Sequence, residues 1–260
     1  MKISIIQSDL VWENKEANLL NFEKKIAEIN QAQDLIVLPE MFNTAFSMRP
    51  EIFAEEPLSH TFEWMKNMSS KYNAAVAGSY MVVENNKYYN RFMVVHPNGS
   101  FQKYDKRHLF RMGNEHHHFA AGEDSMIFKI KEWKIKALIC YDLRFPVFSK
   151  NNYLKGDYNY DALIYVANWP KVRNHIWETL LRARALENQC CVIAVNRVGK
   201  DGNGLAHAGS SCIIDSKGEY IINPQQDNEF TETAVLSYND LQDFRNKFTV
   251  GLDWDNYDIS

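Results

Sequence analysis

The stretch Ile135-Lys-Ala-Leu-Ile-Cys140-Tyr-Asp-Leu-Arg144-Phe-Pro146 constrains this chain more than any other. A short apolar run closed by a proline reads as a buried strand that stops abruptly, with Cys140 where the backbone leaves the strand and turns toward a helix. Strand ends of that kind are where α/β sheets place their chemistry. A thiol is a weak nucleophile until a neighbour lowers its pKa or takes its proton. Cys140 therefore needs a base and a cation from elsewhere in the chain.

Apolar periodicity supplies the frame. Strands are expected at 2–8, 34–38, 100–103, 126–130, 133–140, 161–167, 191–196, 210–215, 219–222 and 233–237. Residues 74–83 and 87–96 read as a hairpin across Glu84-Asn-Asn86. Helical spacing marks 15–30, where Leu19, Phe22, Ile26 and Ile29 share a face, 58–71, about 172–189, and about 239–247. In the third helix Ile176, Leu180 and Ala183 are expected to face inward. Residues 104–124 lose all periodicity, and a long unpatterned loop inside a compact domain is usually functional. The tail 251–260 has no clear pattern. Alternating strands and helices with hairpins mixed in imply an α/β layered sheet that is not purely parallel. With no repeat, linker or low-complexity tract, residues 1–260 are expected to form a single domain.

Composition narrows the partners. A net charge of −4 without Lys/Arg runs argues against nucleic acid and against an anionic membrane surface, and no apolar stretch nears the roughly 18 residues a spanning helix needs. The partner expected is a small molecule. Cys140, Cys190, Cys191 and Cys212 lie in or beside apolar runs without metal-ligand spacing, as reduced thiols of a cytoplasmic protein would. The N-terminal apolar run breaks too early for a signal peptide, so the sequons at Asn67 and Asn98 are expected to be accidental.

Two residues at or just beyond expected strand ends answer the need of Cys140. Glu40 follows Leu38-Pro39, Lys106 follows Tyr104-Asp105, and one sheet edge could gather them with Cys140. Attack of a thiol on an amide requires a nucleophile, a group that takes its proton and later protonates the leaving amine, and positive charge where the oxyanion develops. Cys140, Glu40 and Lys106 fill those roles, and the backbone N–H of Tyr141 is a second oxyanion donor. No cofactor is called for.

At these residues the chain resembles the nitrilase superfamily of carbon–nitrogen hydrolases. The three motifs of that family stand in order as Leu38-Pro-Glu40-Met-Phe, Tyr104-Asp-Lys106-Arg-His-Leu-Phe110 and Ile139-Cys140-Tyr-Asp-Leu-Arg144-Phe-Pro146. The likeness extends to Asn168-Trp-Pro170, Arg182-Ala-Arg184-Ala-Leu-Glu187-Asn188-Gln and His207-Ala-Gly209-Ser-Ser211. The segment Arg111-Met-Gly-Asn-Glu115-His-His-His-Phe is similar to the bacterial ω-amidase branch, in which the glutamate matching Glu115 is a further active-site carboxylate. The resemblance implies a four-layer αββα sandwich, a homodimer paired through helices, and Glu40, Lys106 and Cys140 as base, oxyanion cation and nucleophile. It also implies hydrolysis of the terminal amide of α-keto acids, chiefly α-ketoglutaramate and α-ketosuccinamate.

Blander readings apply to each part. Alone, Cys140 would be a small buried hydrophobe, and Cys190, Cys191 and Cys212 keep that reading. Glu40 and Lys106 could be solvated surface charges, and Glu115 could simply pair with Arg111. His116-His117-His118 invites a metal, but consecutive imidazoles cannot all reach one ion from a regular element. Gly202-Asn-Gly204 lacks the third glycine of a dinucleotide loop and reads as a turn. For a substrate carboxylate, Arg173, Arg111 and Arg144 are the candidates in that order. Phe46, Phe110, Tyr141 and Trp169 are expected to wall the pocket. Two alternatives remain: another nitrilase-type hydrolase acting on an aliphatic amide, a carbamoylated amine or a nitrile, and a catalytically idle scaffold.

Overall fold

The computed structural model describes residues 1–255; the rest of the unpatterned tail, 256–260, lies outside the described residues. The first half of the chain forms β1 (Lys2–Gln7), α1 (Lys15–Ala27), β2 (Leu35–Val37), the single turn α2 (Pro50–Phe53), α3 (His60–Tyr72), β3 (Ala75–Glu84), β4 (Lys87–Val95) and β5 (Phe101–Asp105). The second half adds the one-turn α4 (Glu115–His118), β6 (Ile127–Ile130), β7 (Trp133–Ile139), the short α5 (Pro146–Ser149), the small pair β8 (Tyr153–Leu154) and β9 (Asp157–Tyr158), and β10 (Ala162–Ala167). It continues through α6 (Asn174–Asn188), β11 (Cys191–Asn196), the hairpin β12 (Val198–Lys200) and β13 (Ala206–Ala208), β14 (Cys212–Ile214), β15 (Tyr220–Ile222), β16 (Phe230–Val235) and α7 (Tyr238–Lys247).

Two six-stranded sheets result, ordered β16-β1-β2-β3-β4-β5 and β6-β7-β10-β11-β14-β15. Each has one antiparallel edge strand, then three parallel strands, then two antiparallel ones. The halves are thus topological repeats, although the sequence shows none. The edge strand of the first sheet is β16, which returns from the far end of the chain to pair with β1 from Lys2↔Val235 to Gln7↔Phe230.

Period-2 alternation sorts side chains onto the two faces of each sheet. Ile3, Ile5, Leu35, Val37, Phe92 and Val94 turn inward against Phe128, Ile135 and Ala137 of the second sheet. Ile6, Ile36, Val76 and Met93 turn outward against Leu19, Phe22 and Ile26 of α1 and Phe62, Met65 and Met68 of α3. On the other side Trp177, Leu181 and Ala185 of α6 cover the second sheet. The layers are helix, sheet, sheet, helix, the αββα sandwich that the resemblance implies. Each fully buried large apolar side chain contributes about 1.5–3 kcal/mol of transfer free energy.

Local chemistry explains the connections. Asn85 and Asn86 take φ of 52° and 58° between β3 and β4, the two positive angles a two-residue hairpin turn of matching twist requires. One expectation is corrected: Ile176, Leu180 and Ala183 of α6 are only half-buried. The inward face carries Trp177, Leu181 and Ala185 together with the polar Asn174, Arg184 and Asn188, which hydrophobic spacing cannot reveal. Arg184 earns its burial by donating to the Leu143 carbonyl at 2.6 Å and to Glu187 at 2.8 Å. The unpatterned stretch after β5 contains a 3₁₀ turn at Arg111–Gly113 and the single turn α4. Gly202-Asn-Gly204 is the turn between β12 and β13.

Candidate active site

Glu40 stands just past the carboxyl end of β2. Pro39 has no N–H to continue the ladder, and Met41 turns the chain away with φ 44°. The turn is pinned from β3, because the Met41 N–H donates to Ser79 Oγ at 2.9 Å and the Phe42 N–H to the Ser79 carbonyl at 3.0 Å. Gly78 makes room for it, since a Cβ there would lie 2.9 Å from the Phe42 ring. The Glu40 carboxylate is fully buried and fully engaged. Its Oε1 accepts from Lys106 Nζ at 2.9 Å and Asn90 Nδ2 at 2.8 Å, and its Oε2 accepts from the Asn168 N–H at 2.7 Å.

Lys106 is delivered by β5 and held at both backbone ends. Its N–H donates to the Asn90 carbonyl at 2.9 Å, and its carbonyl accepts from the Gly122 N–H at 3.0 Å. A Cβ at Gly122 would fall 2.1 Å from the Asp105 carbonyl oxygen, so only glycine permits this closure of the loop. The ammonium has no side-chain exposure and bridges Glu40 and Glu115, reaching Glu115 Oε1 at 3.1 Å and Oε2 at 3.0 Å. Glu115, also fully buried, takes the Phe110 N–H at 2.6 Å. Phe46 lies against the cation, its ring centroid 5.2 Å from Nζ.

Cys140 opens a 3₁₀ turn, Cys140–Arg144, directly after β7 and adopts φ 44°. A non-glycine residue in that left-handed region costs about 1–3 kcal/mol. The Tyr141 N–H lies in the first turn, where backbone donors lack a partner within the helix and can serve an oxyanion. Cys140 is half-buried, whereas Cys190, Cys191 and Cys212 are buried.

The electrostatics are those of a dry, charged cluster. Burial would depress the Lys106 ammonium, but Glu115 and Glu40 outweigh it and hold the pKa above the usual lysine range. Burial raises Glu115, Lys106 pulls it down and Glu40 pushes it up again, leaving it above the usual carboxylate range. Burial, then Glu40, keeps the Cys140 thiol protonated well above the usual thiol range, and Lys106 opposes this only in part. A base must therefore take the thiol proton as attack proceeds.

A cavity of about 410 Å³ opens over these groups, lined by Lys106, Cys140, Tyr141 and Asn168 and by Phe46, Met48, Phe110 and Trp169. Arg144 and Arg173 also line it, with guanidinium carbons 5.5 Å from the Trp169 ring centroid and 5.3 Å from that of Phe110. Arg111 does not: it is exposed, outside the lining. Glu115 stands behind Lys106 rather than in the cavity wall. His116 packs its ring 3.9 Å from that of His117, and His117 and His118 are exposed. Among the described residues no cluster of His, Cys, Asp or Glu is arranged to hold a metal ion.

Several residues of the site escaped the sequence reading. Asn90 donates to both carboxylates, to Glu115 Oε1 at 3.4 Å, and its only signal was an amide within an apolar strand. The hairpin β12–β13 brings Asp201, Asn203, Leu205 and His207 to the cavity. Burial, reinforced by Arg197, lowers His207 to a pKa of about 4, so it presents a neutral imidazole.

The model of the carbon-nitrogen hydrolase family matches residues 2–246. The chain is 41% identical over 259 residues to an omega-amidase YafV of Yersinia enterocolitica, covering 99% of this chain and 98% of that one. It is 34% identical over 222 residues to a 2-oxoglutaramate amidase of Bacillus subtilis, covering 84% of each. The crystal structure of XC1258 from Xanthomonas campestris, a CN-hydrolase superfamily protein with an arsenic adduct in its active site, superposes with a TM-score of 0.97 at 38% identity, covering 100% of this chain and 99% of that one. Matched over that span and over nearly the full length of its relatives, the chain belongs to the carbon-nitrogen hydrolase family.

Proposed function

We propose that this hydrolase is an ω-amidase, cleaving the terminal amide of α-keto acids such as α-ketoglutaramate and α-ketosuccinamate to the dicarboxylate and ammonia. The observation that carries the reading is the buried Lys106 ammonium, 2.9 Å from Glu40 and 3.0 Å from Glu115, lining one cavity with Cys140 and two arginines. The names of the relatives at 41% and 34% identity support the substrate class.

In the reaction Glu40 takes the thiol proton of Cys140 as sulfur bonds to the amide carbon. The carbonyl electron pair moves onto oxygen, where Lys106 Nζ and the Tyr141 N–H hold it. Collapse returns that pair, and the C–N bond breaks as Glu40 gives its proton to departing ammonia, leaving a thioester. Water then attacks the thioester with Glu40 as base, and the sulfur leaves and regains a proton. Glu115 keeps Lys106 in place throughout. Enclosure by Phe46, Phe110 and Trp169 keeps water from screening the cation. Arg173 and Arg144 supply forked donors for the substrate carboxylate.

The proposed protein is a single domain, since β16 completes the sheet begun by β1, and a homodimer. The half-buried Ile176, Leu180 and Ala183, on the flank of α6 beside its buried face, leave apolar surface suited to a helix-to-helix contact. A charged residue at Leu180 should shift the sedimentation of the assembly to the monomer. A cytoplasmic location fits four unpaired cysteines.

The deciding experiment measures ammonia release by the purified protein from α-ketoglutaramate, glutamine and a simple aliphatic amide, with Cys140→Ala as control. A marked preference for the keto acid amide that vanishes in the variant is expected. Equal rates on all three would overturn the substrate assignment, and full activity in Cys140→Ala would overturn the nucleophile.

A further inference from the structure

Asp142, two residues past Cys140, is fully buried, lies outside the cavity lining and has no part in the chemistry above. Its carboxylate nevertheless accepts from four donors on two separate segments. Oδ2 takes the Ile139 N–H at 2.9 Å and the Tyr104 hydroxyl at 2.8 Å. Oδ1 takes the His108 N–H at 3.2 Å and contacts His108 Nδ1 at 2.7 Å. Ile139 immediately precedes Cys140, and Tyr104 and His108 flank Lys106 by two residues on either side. The Tyr104 oxygen in turn accepts the Arg107 N–H at 3.0 Å, so three residues of the lysine loop converge on one carboxylate. The His108 ring also stacks on Phe145, at the end of the Cys140 turn, with centroids 3.7 Å apart and planes within 8°.

We propose that Asp142 is the positioning residue that locks the nucleophile turn to the lysine loop, so that Cys140 and Lys106 keep one relative placement through the reaction. The inference rests on Cys140 and Lys106 acting as nucleophile and oxyanion cation. Two features make the link specific. Cys140 is held at φ 44°, and a strained turn persists only while its surroundings over-determine it. The Ile139 N–H bond is the restraint just before the strained residue. Further, each carboxylate oxygen faces a backbone N–H, Ile139 at one and His108 at the other, and neither can rotate away. Only an acceptor-only group satisfies both. An asparagine, in either flip, points its amide N–H at a backbone N–H and releases one of the two segments. Burial lowers the pKa of Lys136, and the Asp142 charge opposes that shift in part.

The test compares Asp142→Asn, Tyr104→Phe and the double variant. The rate is expressed per Cys140 titrated by iodoacetamide, and KM is measured alongside. Tyr104→Phe keeps the charge and the buried shape while removing one bridge, so it stays informative if Asp142→Asn does not fold. A role in stability alone would lower the titratable fraction and leave kcat per titrated site unchanged. The expected result is a loss in kcat per site of about 100-fold for Asp142→Asn, the scale of a misplacement near 1 Å. Tyr104→Phe should lose about tenfold, KM should move by less than about threefold in either, and the double variant should be no worse than Asp142→Asn, because the two act as one unit. An unchanged kcat per site in Tyr104→Phe, or losses that multiply in the double variant, would overturn the proposal.

A second readout needs no substrate. Alkylation of Cys140 by iodoacetamide should slow about tenfold in Asp142→Asn and in Tyr104→Phe as the thiol leaves its base. If the wild type does not cleave α-ketoglutaramate, the substrate reading fails and this rate still decides the inference, an unchanged rate overturning it. Turnover retained by Cys140→Ala would overturn both.

Discussion

The Asn168 N–H donates to Glu40 Oε2 at 2.7 Å across 128 residues of sequence, tying the end of β10 in one sheet to the end of β2 in the other. A second bond, donated by Asn168 Nδ2, reaches the Glu40 carbonyl. Glu40 is thus aimed by the opposite sheet, and the site exists only where the two layers meet.

That arrangement makes Glu40→Gln a demanding probe. The amide fits the volume, but one end must point an N–H at Lys106 Nζ and Asn90 or at the Asn168 N–H, all donors. Loss of the base costs about 10²–10⁴ in kcat, and the mismatch adds to it. Steady-state ammonia release, with circular dichroism to verify folding, checks this; activity within about tenfold of wild type would remove Glu40 from the role of base.

Lys106→Met should lose about 10²–10³ in kcat as an oxyanion donor disappears. It should also destabilise the fold by about 3–5 kcal/mol, because Glu40 and Glu115 become buried carboxylates without a cation. The folded pKa of Glu115, already above the usual carboxylate range, then rises further as the lowering effect of Lys106 is lost. Stability from such groups is present below the unfolded carboxylate pKa of about 4.3 and is lost as pH rises through the folded values. Urea midpoints at pH 5 and pH 8 should therefore differ more in the variant than in the wild type.

The arginines separate by position. Arg173→Ala and Arg144→Ala should raise KM for a keto acid amide, by about 10- to 100-fold where a charged hydrogen bond is lost, with kcat little changed. Arg111→Ala should leave KM within about twofold. A larger effect at Arg111 than at Arg173 would mean the carboxylate binds outside the cavity described.

Lys136 gives a pH-dependent test that reads stability rather than turnover. It is buried with its ammonium on the Phe148 carbonyl and 4.8 Å from the Phe148 ring, and burial lowers its pKa from 10.5 to about 8. A depressed folded pKa means that the neutral amine suits the fold. The associated stability is present above about 10.5 and lost as pH falls through about 8, a cost of about 3 kcal/mol at most. Lys136→Met should raise the Tm at pH 7 by several degrees and confer less at pH 10. A gain independent of pH would show that packing, not charge, is responsible.

Much of the site was legible because chain breakers punctuate it. Pro39 ends β2 beside Glu40, Pro146 closes the turn that Cys140 opens, and aperiodicity flagged the loop carrying Lys106 and Glu115. The rotation of α6 was not legible, because Arg184 and Asn188 face inward, held largely by hydrogen bonds to backbone carbonyls that a hydrophobic pattern cannot see. The hairpin at 198–208 was missed for a similar reason: each strand has only three residues, too few to display a period.

The amino-acid sequence by itself determined which residues end strands, where the backbone must turn, and that a thiol, a carboxylate and an ammonium fall at such points. Those are local consequences of side-chain chemistry and period. Only the tertiary structure decided that Asn90 and Asn168 orient Glu40, that Asp142 joins the turn of Cys140 to the loop of Lys106, and that Arg173 faces the cavity while Arg111 does not. Such relationships depend on how two sheets from opposite halves of the chain register against each other, and packing sets that register over separations no local pattern encodes.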